Sequence, residues 1–179
     1  IAVYFSPRGV VPKHRVVLTV LQLGQFALDI PPGEKTITQN FFVLPAPARL
    51  DSFQPHMHLR GKAMSLEAIL PDGTTRLLSA VNNFQWNWLT NYVYADDAAP
   101  LLPKGTVLAV TSLHDNTADN PSNPDPTQWV GWGARVVDEM AACHINIVYV
   151  TQAEFATLTA ERKANAARDS SATTTRHDW

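Results

Sequence analysis

The sequence is poor in cysteine and in long apolar runs, and each shortage excludes a class of protein. Cys143 is the one cysteine among 179 residues. No disulfide can therefore form within the chain, and cysteine usage does not indicate a redox compartment. The longest apolar stretches, such as Val16–Leu18 with Val20–Leu21, are far shorter than the roughly 18 residues needed to cross a bilayer as a helix. We therefore expect no membrane span.

Charge is also scarce, and neither sign dominates. The chain has 14 Lys and Arg against 16 Asp and Glu, a formal net charge of −2, and no block of basic residues. This balance argues against a nucleic-acid partner and against a polybasic membrane-surface protein. Because only 17% of the residues are charged and 45% are hydrophobic, a disordered chain is excluded. The length suits one domain with a real core.

The first residue is Ile1, with no methionine and no charged segment followed by an apolar one. No targeting signal is visible in this pattern. We expect a processed chain or a piece of a longer one, so its location has to be inferred from other features.

Glycine and proline divide the sequence into short segments rich in Val, Ile, Thr and Leu. Such segments, bounded by turn residues, predict an antiparallel β-sandwich or barrel. Pro71-Asp72-Gly73 is the clearest turn and predicts a hairpin that joins Met64–Leu70 to Thr75–Ser79. The predicted strands are Val16–Leu23, Lys35–Val43, Ala63–Leu70, Thr74–Ala80, Thr106–Leu113 and Ala142–Val150.

The composition changes after residue 150. Thr151–Arg168 has the spacing of an exposed helix, and Asp169–Trp179 is a polar, charged stretch. The sequence thus predicts a β-domain over residues 1–150 and a helical, flexible extension over residues 151–179. A solvated helix with a frayed tail is the ordinary interpretation of such a terminus. The alternative is a tail docked on a partner, with Trp179 as its anchor.

His56-Met57-His58 is the first candidate for chemistry. Side chains at positions i and i+2 of a strand point to the same side, so two imidazoles can converge on one ion. Pro55, just before them, suits the start of a strand or an edge strand. Two histidines hydrogen-bonded on a β-surface are the structural alternative, because a lone His-x-His is a weak signal.

Asp138-Glu139-Met140 is the second candidate, at the entry to the predicted strand Ala142–Val150. A methionine alone is normally a core residue. Two imidazoles with a thioether form a soft, low-coordinate set that suits copper, particularly Cu(I). Zinc at the same residues remains an alternative, although it would favour a third histidine, a cysteine or a carboxylate.

Three motifs together resemble one known family in order and spacing. They are Leu28–Lys35, Pro55–Lys62, and Asp138–Met140 followed by Ile145–Val150. The chain resembles the C-terminal half of the catalytic core of the copper type II, ascorbate-dependent monooxygenases, such as peptidylglycine α-hydroxylating monooxygenase and dopamine β-monooxygenase. The resemblance covers roughly Val16–Val150.

The resemblance implies an all-β fold, an antiparallel jelly-roll-like β-sandwich, which the composition extends by a short C-terminal helix and tail. It also implies one copper, held by His56, His58 and Met140, at which oxygen is activated and an activated C–H bond of a small molecule is hydroxylated. Electrons would come from a partner domain or subunit. An extracellular or periplasmic location follows from the family alone.

Several positions depart from the family pattern. Gln54 stands where the peptide-hydroxylating enzymes have an arginine for the substrate carboxylate, so a glycine-extended peptide is not the expected substrate. The residues after Met140 also differ: Ala141, Ala142 and His144 replace a Cys, an Asn and a Tyr. The family's N-terminal copper domain has no counterpart, and the remaining histidines are too scattered to rebuild it. A non-catalytic copper-binding or structural module within a larger assembly is therefore the alternative function.

His114 and the tryptophans complete the set of candidates. His114 lies at the end of a predicted strand. It is either an extra copper ligand or a residue that supports the ligands. The structural alternative is a strand-end residue that caps an Asx-rich turn. Trp86-Asn87-Trp88 alternates like a strand. We expect Trp86, Trp88, Trp129 and Trp132 to be packing residues, with a substrate wall or docking patch as the alternative.

Overall fold

The computed structural model describes residues 2–24 and 27–174, with side chains as far as residue 168. These residues form eleven β-strands followed by one α-helix. The strands are β1 (Val16–Gln22), β2 (Asp29–Ile30), β3 (Lys35–Val43), β4 (Ala48–His56), β5 (Gly61–Ile69), β6 (Thr75–Val81), β7 (Tyr92–Val93), β8 (Leu101–Leu102), β9 (Val107–Asp115), β10 (Val130–Gly131) and β11 (Ala142–Tyr149), and the helix is α1 (Gln152–Thr174).

The long strands form two antiparallel sheets. The first has the order β1-β11-β4-β7, with β8 also paired to β4, and the second has the order β3-β9-β5-β6. A small two-stranded sheet pairs β10 with β2. Because sequence neighbours often lie in different sheets, the chain crosses repeatedly between the layers. The fold is an all-β, antiparallel, jelly-roll-like sandwich with a C-terminal helix, as the sequence predicted.

The core lies between the two sheets. Phe53 and Ile145 of the first sheet pack in one buried cluster with Leu66 and Leu108 of the second. All four have no exposed surface. Burial of apolar surface contributes about 25 cal/mol per Å², so this interface is the main source of stability and holds β4 and β11 in place.

The predicted strands are confirmed with small changes at their ends. The Pro71-Asp72-Gly73 hairpin is also confirmed, because it joins β5 to β6. Gly73 has a φ of 84°, which disfavours a side chain, and the Asp72 carboxylate accepts the Thr74 N–H at 2.9 Å.

The histidine motif lies at the end of a strand, and of the strand start or edge strand that the sequence predicted for Pro55, the structure has a local edge. Pro55 is the penultimate residue of β4, which begins at Ala48. Proline is tolerated there because β7 pairs with β4 only at Ser52 and Phe53. At Pro55 the strand has only β11 beside it, so the missing N–H costs no ladder bond on the open side.

The helix begins one residue later than predicted and continues six residues beyond Arg168. It starts with a reciprocal cap: the Thr151 N–H donates to Glu154 Oε2 at 2.9 Å, and the Glu154 N–H donates to Thr151 Oγ1 at 3.2 Å. The end of the predicted tail, with Trp179, lies outside the described residues. Over the part of the chain that is described, no helix is long and apolar enough to span a membrane.

The tryptophans were expected to be packing residues, but most of them are not in the core. Trp86 and Trp88 lie in a turn, with the Trp88 N–H bonded to the Gln85 carbonyl, and not in a strand. Trp88 is 78% exposed and Trp129 is 63% exposed, so neither is a core residue. Trp132 alone packs against a small buried cluster, formed around Ile30 and Val130. Alternation over three residues is too short a signal to distinguish a strand from a turn.

Candidate metal centre

His56 and His58 lie together at the end of β4. His56 is the last residue of the strand, and His58 follows in the turn that leads to Gly61. Their ring centroids are 5.5 Å apart, with the planes at 77°. Two imidazoles bound to one metal ion at about 2.0–2.1 Å have ring centres roughly 5–6 Å apart, so this spacing suits a shared ion.

The ring of His58 is fixed in one tautomer by the backbone. Its Nδ1 lies 3.0 Å from the Asp138 carbonyl oxygen. A carbonyl only accepts, so Nδ1 carries the proton and Nε2 keeps the lone pair that a metal needs. The Asp138 carboxylate is in turn held by the Arg135 guanidinium, with bonds of 2.7 and 2.9 Å. This arrangement orients His58 before any ion binds.

Glu139 joins the two sequence motifs. Its carboxylate has no exposed surface and accepts the His58 N–H at 2.8 Å, the Arg60 N–H at 2.6 Å and the Met140 N–H at 3.3 Å. Burial raises the pKa of Glu139, while the N–H donors of Arg60 and His58 lower it. Since His58 and Met140 bond to the same oxygen, Oε2, their backbones lie side by side although 81 residues separate His58 from Glu139.

The backbone of Met140, which the sequence proposes as a third ligand, therefore lies beside that of His58. Its side chain is half-buried. Its backbone is held at both ends, by Glu139 at the N–H and by His114 at the carbonyl.

His114 contacts the backbone carbonyl of Met140. The ring is fully buried, and its Nε2 lies 3.1 Å from the Met140 carbonyl and 3.7 Å from Glu139 Oε2. Burial lowers the pKa of His114 to about 4, so the ring is neutral at pH 7. The ring bonds across the fold to Met140, which differs from the turn-capping interpretation of His114.

Arg60 is a structural residue of the centre. It is 2% exposed; its Nε donates to Asn116 Oδ1 at 2.8 Å and its Nη1 to the Val137 carbonyl at 3.0 Å. Asn116 also donates to the carbonyls of Pro31 and Gln128, both at 2.9 Å. These bonds join two segments next to the histidines, Leu59-Arg60-Gly61 and His114-Asp115-Asn116.

His144 was missed as a site residue from the sequence. Its ring centroid is 5.5 Å from that of His56, with the planes at 84°. It lies on β11 opposite Gln54, and Ala142 lies opposite His56. Burial lowers the pKa of both His56 and His144, and for His56 the neighbouring imidazoles add to this effect. The β4–β11 register reveals the contact, and sequence spacing alone does not give that register.

No group of three or more His, Cys, Asp or Glu side chains within residues 2–24 and 27–174 is placed to hold a metal ion. The set that the sequence predicts is of another kind, with two imidazoles and a thioether. Its donors suit copper better than zinc.

No family model and no curated protein matches the chain. Among solved structures, it is similar to infectious bursal disease virus of the Gt strain, with 12% identity over 83% of this chain and 36% of that chain and a TM-score of 0.26. The VP2 subviral particle of the same virus is 12% identical over 88% of this chain and 47% of that chain, with a TM-score of 0.31. The structure of the Gx strain is 10% identical over 88% of this chain and 47% of that chain, with a TM-score of 0.29. The chain spans less than half of each, and similarity at this level does not indicate a shared function.

Proposed function

We propose that the chain is a copper domain of the ascorbate-dependent monooxygenase type, with one copper held by His56, His58 and Met140. The observation that carries the proposal is the Glu139 carboxylate, which bonds to the amides of both His58 and Met140. A buried carboxylate that aligns two distant motifs is typical of a supported metal site, where the groups behind the ligands set their orientation.

The residues of the chain would act in three ways. His58 presents Nε2 because its Nδ1 donates to the Asp138 carbonyl. His114 and Glu139 hold the backbone of Met140. His56 is half-buried, so part of its ring is accessible from solvent. Bound copper would supply the activation of oxygen for hydroxylation of an activated C–H bond.

The partners follow from the same proposal. Electrons would come from a separate domain or subunit, and the location would be extracellular or periplasmic. Gln54, opposite His144 on β11, is neutral, so a substrate carboxylate has no cation at this position.

Affinity for Cu(I), measured by competition with a chromophoric chelator, tests the ligand set. His56→Ala and Met140→Ala should each weaken binding strongly, because each removes a donor. His14→Ala and Met64→Leu are the matched controls, one beside the helix cap and one in the core. Unchanged affinity in Met140→Ala, or a preference for zinc over copper, would contradict the proposal.

A non-catalytic copper-binding or structural module is a second candidate. The observation that favours it is apolar exposure on the two edge strands β1 and β3. Leu18 is 62% exposed, Ile37 68% and Phe41 55%. A surface of this kind fits attachment to a larger assembly. Product formation that depends on both reductant and oxygen would favour the monooxygenase; copper binding without it would favour the module.

A further inference from the structure

We propose that His144 is an additional ligand of the same copper, bound in the Cu(II) state and free in the Cu(I) state. The inference rests on the proposed function, because it adds a donor to the site of His56, His58 and Met140.

His144 has the same spacing to His56 that His58 has. Both ring-centroid distances are 5.5 Å, and both pairs of planes are near perpendicular, at 77° and 84°. His56 thus contacts two imidazoles. The antiparallel pairing of β4 with β11 makes this contact rigid at the backbone level, because Ala142 pairs with His56 and His144 pairs with Gln54.

The ring of His144 is not held by a hydrogen bond. Its Nδ1 is buried and has no partner. By contrast, the ring of His58 is tied to the Asp138 carbonyl through Nδ1, and the ring of His114, whose own Nδ1 also has no partner, is tied to the Met140 carbonyl through Nε2. A buried ring nitrogen without a partner is costly, and a metal or a rotation of the ring would satisfy it.

A rotation is required, since no three such side chains in the described ranges already converge on one ion. The rotation of His144 breaks no hydrogen bond at Nδ1. The His58 ring would give up its bond to Asp138 if it turned instead. Of the rings that contact His56, His144 is thus the one free to change its position.

The two oxidation states of copper have different preferences. Cu(I) is stable with few, soft donors, which the thioether and two imidazoles provide. Cu(II) favours nitrogen and oxygen donors in a tetragonal arrangement. A third imidazole within reach of the site therefore stabilises the oxidised ion more than the reduced one.

Pulsed electron paramagnetic resonance of the Cu(II) protein, which counts bound imidazoles, tests the inference. The wild-type protein should show three, and His144→Gln should show two. His144→Ala is a second variant without a polar group, and His14→Ala is the control that keeps three. X-ray absorption of the Cu(I) forms should be the same in all of them, with two nitrogens and one sulfur.

Two results would overturn the inference and are distinguishable. An equal imidazole count in wild type and both His144 variants, with a normal Cu(I) spectrum, would refute the role of His144 alone. A Cu(I) site without sulfur would refute the proposed ligand set, and the inference with it. Circular dichroism of each variant shows whether the sandwich is folded, so that a lost imidazole is not confused with a lost fold.

Discussion

At the scale of single residues, Glu139 organises the candidate centre. Its carboxylate accepts backbone N–H groups from His58, Arg60 and Met140 and has no exposed surface. This side chain joins two short motifs, Leu59-Arg60-Gly61 and Asp138-Glu139-Met140, together with the His58–Asp138 and Arg60–Val137 bonds. A change at Glu139 should therefore affect both stability and metal binding.

Glu139→Gln keeps the size of the side chain but replaces one acceptor oxygen with an NH₂ group. The group would face backbone N–H donors, so we expect a loss of about 1–3 kcal/mol in the free energy of unfolding. Copper affinity should fall by about 10–100-fold, because the support of the ligands is lost. Denaturant unfolding and metal competition measure the two effects. Glu161→Gln, on the exposed face of α1, should change neither.

Gly61 is a second residue on which the turn after His58 depends. A Cβ at this position would lie 2.4 Å from Met57 Cβ and 3.1 Å from a Phe84 ring carbon. Gly61→Ala should therefore destabilise the protein by about 1–3 kcal/mol, as overpacking does. In Gly24→Ala the added Cβ would meet nothing within 4 Å. Equal thermal stability of the two variants would contradict the close packing of Gly61 against Met57.

At the scale of secondary-structure elements, the sequence predicted the long strands and the β5–β6 hairpin because their signals are local. Lys35–Val43 alternates in burial and is rich in β-branched residues, and Gly73 marks the turn before Thr75–Val81. Strands β7 and β8 have no separate signal in the sequence, because they are two residues long and exist only through pairing with β4. Propensity does not reveal pairing of this kind.

The candidate site has local and long-range parts as well. The proposal of His56, His58 and Met140 rests on local motifs, whereas the contacts of Glu139 and the contact between His56 and His144 depend on long-range geometry. His144 meets His56 only because Ala142 pairs with His56 across β4 and β11. A shift of one residue in that register would turn His144 to the other face of the sheet.

The start of α1 gives a pH prediction. The Lys13 ammonium and the bonds from Thr151 lower the pKa of Glu154 from 4.5 to about 2. A carboxylate whose pKa is depressed on folding stabilises the folded state above its unfolded pKa, and that contribution is lost as the pH falls toward the folded pKa. Helix content at 222 nm should therefore decrease between about pH 4.5 and pH 2. Glu154→Gln should remove this step, and a step that persists in the variant would exclude Glu154 as its origin.

Strand β11 carries a chemical reporter of its own. Cys143 is fully buried, and burial raises the pKa of its thiol to about 12. We expect no reaction with an aromatic disulfide reagent at pH 8 until β11 separates from β1 and β4. The rate of labelling should match the rate of global unfolding measured by fluorescence. Fast labelling of the folded protein would show that β11 opens locally.

At the scale of the whole molecule, the core and the candidate centre occupy different parts of the sandwich. Their inner faces form the buried core, and the end where β4, β9 and β11 meet holds the candidate centre. The outer surface of β1 and β3 exposes apolar side chains such as Leu18 and Phe41. The larger assembly of the second candidate function would attach at this apolar surface, so mixing with such a partner should protect β1 from hydrogen exchange.

The central claim concerns a metal bound by residues from two distant motifs. X-ray absorption at the copper edge, on the reduced protein loaded with one equivalent of copper, tests it most directly. The account predicts two nitrogen donors and one sulfur donor, with the sulfur absent in Met140→Ala and present in Met57→Leu. A spectrum without sulfur in the wild-type protein, or one that Met140→Ala leaves unchanged, would contradict it.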